Sequence, residues 1–241
     1  MDAIFYGSLI IFSASFVQAV TGFGFALLAV PLLSIFFPLK GVVPLVVLFS
    51  LATNLMILKE TSKYIRLKEI GLIIIFSIIG IPVGVSFLKL GNVDILKLLI
   101  GAIILITGMV MMTGSKLKIG NEAFSSGIIG FLSGFLNGSI SIGGPPLVMY
   151  LTNKGDAKDT FRANLTACAI ITNLVTISCF LISGGFDRKL IGNFMFLLPS
   201  LLAGIVTGIL AVRKINEFLF RNLILILIMV TGVIVIITTI V

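Results

Sequence analysis

The chain has 241 residues, of which 59% are hydrophobic and only 11% charged, with a formal net charge of +8. A soluble domain carries about 25% charged residues, so the composition excludes an ordinary soluble protein and points to an all-α polytopic membrane protein. The absence of histidine excludes His-ligated metal sites, histidine proton relays and Ser-His-Asp chemistry.

The apolar segments follow one another with short polar loops between them. Residues 3–37 form one apolar stretch, longer than a single span needs, interrupted at Gln18, Thr21, Gly22 and Gly24. It predicts two short helices meeting at a break. The start lacks a basic n-region and an A-x-A site, so this stretch is expected to be structural rather than a cleaved signal. Spans are predicted at 42–58, 70–88 and 95–112, separated by a basic loop (59–69) and by residues 89–94. Residues 114–122 carry Lys116 and Lys118. The pattern then restarts. A second broken stretch, 123–153, holds Asn137-Gly138-Ser139-Ile140-Ser141-Ile142-Gly143-Gly144-Pro145-Pro146. A polar loop (154–162), a span (163–182), a turn (184–189), a span (190–212), a basic loop (213–221) and a last span (222–241) follow.

The lysines and arginines sit in the loops, as the positive-inside rule requires, so the basic balance implies a lipid bilayer and no nucleic acid. Cys168 and Cys179 fall in one span, too far apart along a helix to bridge, and read as small hydrophobes. With no tryptophan, Tyr6, Tyr64, Tyr150 and some phenylalanines must supply the interfacial belt.

The restart predicts an internal duplication of about 120 residues, with residues 1–120 and 121–241 as N- and C-terminal transmembrane repeats. Phe16 and Pro31-Leu32 match Phe131 and Pro146-Leu147 at an offset of 115, and Thr53-Asn54-Leu55 matches Thr172-Asn173-Leu174 at 119. Gly80 and Gly84 match Gly204 and Gly208 at 124, as do Lys97 with Arg221 and Thr107-Gly108 with Thr231-Gly232. If each broken stretch crosses once, the cations divide evenly between the two sides. If each folds back as a hairpin, Lys59, Lys63, Arg66, Lys68, Lys116, Lys118, Lys154, Lys158, Arg162, Arg213, Lys214 and Arg221 share one side. Only Lys40, Lys89, Lys97, Arg188 and Lys189 then oppose them. The charge bias favours the hairpins. The predicted fold is therefore two inverted repeats, each a broken-helix hairpin plus three transmembrane helices, with both termini outside.

Non-helical backbone at membrane depth must line a cavity or pack on protein. The breaks expose helix N-termini, whose free N–H groups and positive partial charge suit an anion. The predicted substrate-binding set is Gln18, Thr21, Gly22, Gly24, Asn54, Asn137, Gly138, Ser139, Ser141, Gly143, Gly144, Pro145 and Asn173. Asn54 and Asn173 enter because buried amides need partners and because they match across the repeat. Gly138 and the other glycines also read as tight helix-packing residues, and Arg162 reads as an interfacial anchor or as the way in for an anion. All the acids map to termini or loops, so no carboxylate is placed to carry a proton through the core. Sodium held by carbonyls and hydroxyls stays open as a coupling ion. No catalytic residue, metal or cofactor is expected.

The stretches GFGFALLAVPLL (22–33), GGPPLVMYL (143–151) and FRANL (161–165), with Asn173 in the next span, resemble the TauE/SafE family of sulfite and organosulfonate transporters across nearly the whole chain. Many members have a richer glycine run where this chain has Gly22-Phe23-Gly24-Phe25-Ala26. The resemblance implies a secondary transporter or facilitator of small anions that exports sulfite, thiosulfate or an organosulfonate across the cell membrane by alternating access. A small carboxylate substrate, or uptake, remains an alternative, and a homodimer remains open. An intramembrane enzyme or assembly subunit is disfavoured, because no buried nucleophile with a base is visible.

Overall fold

A computed structural model describes residues 2–91, 122–186 and 195–216, with a few single positions elsewhere. The expected spans 95–112 and 222–241, and the repeat matches at Lys97, Thr107-Gly108, Arg221 and Thr231-Gly232, lie outside the described residues. Those residues form α-helices with one short 3-10 turn (Ser62–Tyr64) and no strand. In order they are α1 (Asp2–Thr21), α2 (Phe25–Leu33), α3 (Leu39–Thr61), α4 (Leu67–Leu90), α5 (Glu122–Ile140), α6 (Gly144–Lys154), α7 (Lys158–Ile182) and α8 (Leu198–Val212).

Both broken stretches break, and each folds into a hairpin. In the first, Tyr6 near the start of α1 stacks on Phe36 just beyond α2, ring centroids 5.9 Å apart. In the second, Glu122 at the start of α5 pairs with Lys154 at the end of α6. The two hairpins open at opposite ends of the bundle. One end gathers the start of α3 and the ends of α4 and α7, where Lys40 donates to the Lys89 carbonyl (2.9 Å) and Lys89 to that of Ser183. The first hairpin opens there, leading into α3. The other end gathers the end of α3 and the start of α7, where the Arg66 N–H donates to Asn164 Oδ1 (2.9 Å). The end of α8 joins it through Arg213–Glu60 (3.0 Å) and through Lys158 on the Ile215 carbonyl (2.8 Å). The second hairpin opens there, leading into α7.

The most extensive packing joins α4 to α5 and α1 to α8. Small residues allow it. A Cβ on Gly80 or Gly84 of α4 would strike the carbonyls of Phe131 or Phe135 in α5, and one on Gly134 would strike that of Ser77. Gly204 and Gly208 of α8 meet the Phe12 and Phe16 carbonyls of α1 in the same way. Such backbone approach is the usual means of helix association in lipid, where apolar burial gives no drive. Helices α3 and α7 form the centre, packed on each other and running oppositely. Outward faces carry exposed Ile75, Ile79, Val83, Phe124 and Leu181, as a lipid-facing surface requires.

Two expectations are corrected. The polar segment 154–162 is not wholly a loop, since α7 begins at Lys158. Its charged first turn lies where α3 and α8 end, so lysine and aspartate need not enter hydrocarbon. The 115-residue match of Pro31 with Pro146 does not hold structurally. Pro145 and Pro146 open α6, where a missing N–H costs nothing, whereas Pro31 lies inside α2. Helix boundaries instead recur at 119: Thr21 and Ile140, Phe25 and Gly144, Leu39 and Lys158.

Candidate functional site: a cavity between two hairpin tips

The tips are built alike. At the first, the Gly22 N–H closes the last turn of α1 on the Gln18 carbonyl (2.8 Å), and Gly22 turns left-handed (φ 85°). At the second, the Ser141 N–H closes α5 on the Asn137 carbonyl (2.9 Å), and Ser141 turns left-handed (φ 62°). Each chain then starts a new helix, α2 after Gly24 and α6 after Gly143. The tips meet where Phe23 packs on Gly144.

Between them lies a cavity of about 60 Å³. A water needs roughly 10–15 Å³ on this measure, so the space admits a handful of heavy atoms. Ser50, midway along α3, and Asn173, just past the middle of α7, lie in its wall, which puts it at the centre of the bundle. Four buried amides form two matched pairs at it, three of them (Gln18, Asn137 and Asn173) in its wall. Gln18 Nε2 donates to Asn54 Oδ1 (2.7 Å), 36 residues on. Asn137 Nδ2 donates to Asn173 Oδ1 (3.3 Å), again 36 residues on, and to Thr176 Oγ1 (2.9 Å). Ser50 joins the pairs across the helices, accepting from Asn173 Nδ2 (3.2 Å) and Gln18 Nε2 (3.3 Å).

The electrostatics follow from what the wall contains. No ionised side chain lines the cavity. Neither α2 nor α6 has a side-chain cap, and neither has an acid in its first turn. The starts of both helices, at Gly24 to Leu27 and at Gly143, Gly144 and Leu147, line the cavity, so their partial positive charge lies there uncompensated by any acid. Ser141 Oγ is buried there without a hydrogen-bond partner. An oxyanion could accept from these groups. A cation would meet two positive helix ends.

Of the residues expected at the site, Gln18, Gly22, Gly24, Asn137, Ser141, Gly143, Gly144 and Asn173 line the cavity. The others are placed elsewhere. Thr21 Oγ1 is occupied within its own tip, against the carbonyls of Val17 (2.9 Å) and Phe23 (2.6 Å). Asn54 stands behind Gln18 and reaches the space only through it. Gly138 faces Ile81 and Val85 of α4 and is a packing residue. Ser139 bonds back to Leu136. Pro145 is buried in the start of α6, outside the wall. Arg162 is no surface anchor: it is 4% exposed, and its Nη2 donates to the Ala19 carbonyl (2.6 Å) at the end of α1.

Ser50, Ser133, Thr172 and Cys168 line the cavity without having been singled out as site residues. Ser133 Oγ donates to the Gly143 carbonyl (2.7 Å) and so holds the second tip to its own arm. Ser50 lies one helical turn before Asn54, and Thr172 and Cys168 both precede Asn173 within a turn and a half. The spacing around the two asparagines was therefore the available signal.

No curated protein and no solved structure matches the chain. The family model described as "Sulfite exporter TauE/SafE" matches residues 8–235, nearly the whole chain. The chain therefore belongs to the TauE/SafE sulfite exporter family, a family of multi-pass membrane transporters.

Proposed function

We propose that the protein carries a small oxyanion, sulfite before the bulkier organosulfonates, through the cavity between the hairpin tips. One observation carries this reading. Two uncapped helix N-termini converge on a single cavity with no carboxylate in its wall. The cavity's size favours an anion of few heavy atoms.

The two halves are an inverted duplication in this reading. Matched amide pairs at equal spacing, helix boundaries at a constant offset and hairpins opening at opposite ends all support it. The described cations support the orientation. Lys59, Lys63, Arg66, Lys68, Lys158, Arg213 and Lys214 cluster where α3 ends and α7 begins, against Lys40 and Lys89 at the opposite end. The cluster marks the cytoplasmic face, so α1 starts outside. Alternating access around the cavity would then export the anion. An anion leaving an inside-negative cell gains about 2.3 kcal/mol per charge per 100 mV, so export needs no coupled ion.

Proteoliposomes loaded with labelled sulfite test the proposal. Efflux should exceed that of empty liposomes and rise with an inside-negative potential. Folded protein that moves neither sulfite, thiosulfate nor a sulfonate would end it.

A further inference from the structure

We propose a second oxyanion subsite, in a vestibule at the cation-rich end, anchored by Arg162. It rests on the reading of the protein as an anion carrier and adds a place where the anion waits before or after the central cavity.

The vestibule is a cavity of about 310 Å³, separate from the central one. Its rim carries exposed Lys63, Tyr64 and Arg213, and its floor is buried Thr61 and Arg162. Four cations, Lys63, Lys158, Arg162 and Arg213, face two acids, Glu60 and Asp159. Glu60 is already bound to Arg213 (3.0 Å), and Lys158 caps the end of α8. The guanidinium of Arg162 is the unusual group. It is buried, its Nη2 holds the Ala19 carbonyl, and its Nε has no partner. A buried orphan donor is costly. A guanidinium with an unpartnered Nε–H, beneath a net-positive rim, matches an oxyanion.

The position gives the subsite a consequence. The Arg162 backbone packs against Gly22, where an added Cβ would stand 3.1 Å from its Cα. Gly22 lines the central cavity. The wall between the two chambers is therefore the first hairpin tip, held from one side by Arg162. An anion on Arg162 Nε shares the guanidinium whose Nη2 holds the Ala19 carbonyl, which links vestibule occupancy to that tip.

Sulfite titrations of the purified full-length protein in detergent, followed by melting temperature, test this. Two separable binding phases are expected. Arg162→Gln should weaken one phase by about tenfold or more, and Asn173→Ala should weaken the other. Arg162→Lys keeps the charge without the fork and should restore the vestibule phase only in part. Lys63→Gln and Arg213→Gln, at exposed positions that cannot unfold the core, should weaken the vestibule phase by roughly threefold each. A single phase, abolished by Asn173→Ala and untouched by the four vestibule variants, overturns the subsite and leaves the central site standing. A vestibule phase that survives when no variant shows a central one overturns the central site instead. An effect of Arg162→Gln seen only with phosphatidylglycerol nanodiscs, and not with free sulfite, overturns the small-anion assignment in favour of a lipid headgroup.

Discussion

At the first hairpin tip the left-handed position is Gly22, whereas at the second it is Ser141. The first tip is closed by Thr21, bonded within the tip itself. The second is closed by Ser133, reaching across from its own arm. Helix α2 starts with Phe25, Ala26 and Leu27, all of which keep their N–H groups. In α6 the second and third residues are Pro145 and Pro146, which leaves Gly144 and Leu147 as donors. The tips share a path but not a donor set. If helix N-termini hold the anion, the first tip supplies more of the grip. The second supplies a stiffer start and an unpartnered hydroxyl, Ser141 Oγ.

The sharpest way to break this comparison is to exchange the turn residues. Gly22→Ala places a Cβ against the Arg162 backbone in a left-handed conformation, which costs an L-residue about 1–2 kcal/mol before any clash. Sulfite flux should fall by about tenfold or more. Ser141→Gly should instead raise the melting temperature and keep flux within a few-fold, because glycine relieves the strain. Equal losses from both would mean that neither turn is special.

The amide pairs come next. Asn173→Ala strips partners from Asn137 and Ser50. Both keep another partner, Thr176 for Asn137 and Gln18 for Ser50, but each lost hydrogen bond costs about 0.5–1.5 kcal/mol, so the half-saturating sulfite concentration should rise about tenfold. Asn54→Ala should cost less, because Asn54 only orients Gln18 from behind. A larger effect from Asn54 would reverse the order drawn here between lining and supporting amides.

The smallest effect lies away from the tips. Burial, and then the nearby Glu69 charge, push the Asp156 carboxyl above its ordinary range, although Asn164 donates to it (3.4 Å). A folded value above the unfolded one means that Asp156 adds stability below its unfolded pKa. That contribution disappears as pH rises through the folded value. Asp156→Asn should therefore raise the melting temperature at pH 7 and not at pH 4, by less than about 1 kcal/mol in stability. An equal gain at both pH values would show that charge is not the cause.

Much of this was legible in the sequence because membrane chains punish irregular backbone. Gly22, Gly24 and the Gly/Pro-rich run 141–146 could not continue the preceding helix and could not face lipid, so the breaks announced themselves, although the structure leaves only 141–143 non-helical and starts α6 at Gly144. The register was less legible. Pro31 and Pro146 match as letters, but one interrupts a helix and the other starts one, and only dihedral angles separate the two. Gly138 has the composition of a site residue and the job of a packing residue, since closeness to α4 is a tertiary fact. Ser50 was hidden for the opposite reason. A serine in an apolar helix ordinarily bonds to its own backbone, and nothing local reveals that this one meets Gln18 and Asn173. Arg162 looked like a surface charge, because the carbonyl that it satisfies belongs to a residue 143 positions away.

The glycine contacts of α4 with α5, and of α8 with α1, bear on how such a molecule can work. Backbones seated that closely cannot slide without collision, so any cycle has to move α4 with α5 and α1 with α8. Each hairpin arm is thereby locked to a helix from the opposite half of the chain. If the protein works by alternating access, the moving bodies are exchanged pieces, one helix from each half, and the seam between them runs between α3 and α7. Ser50 bridges that seam, like a latch on a hinge whose leaves have been swapped.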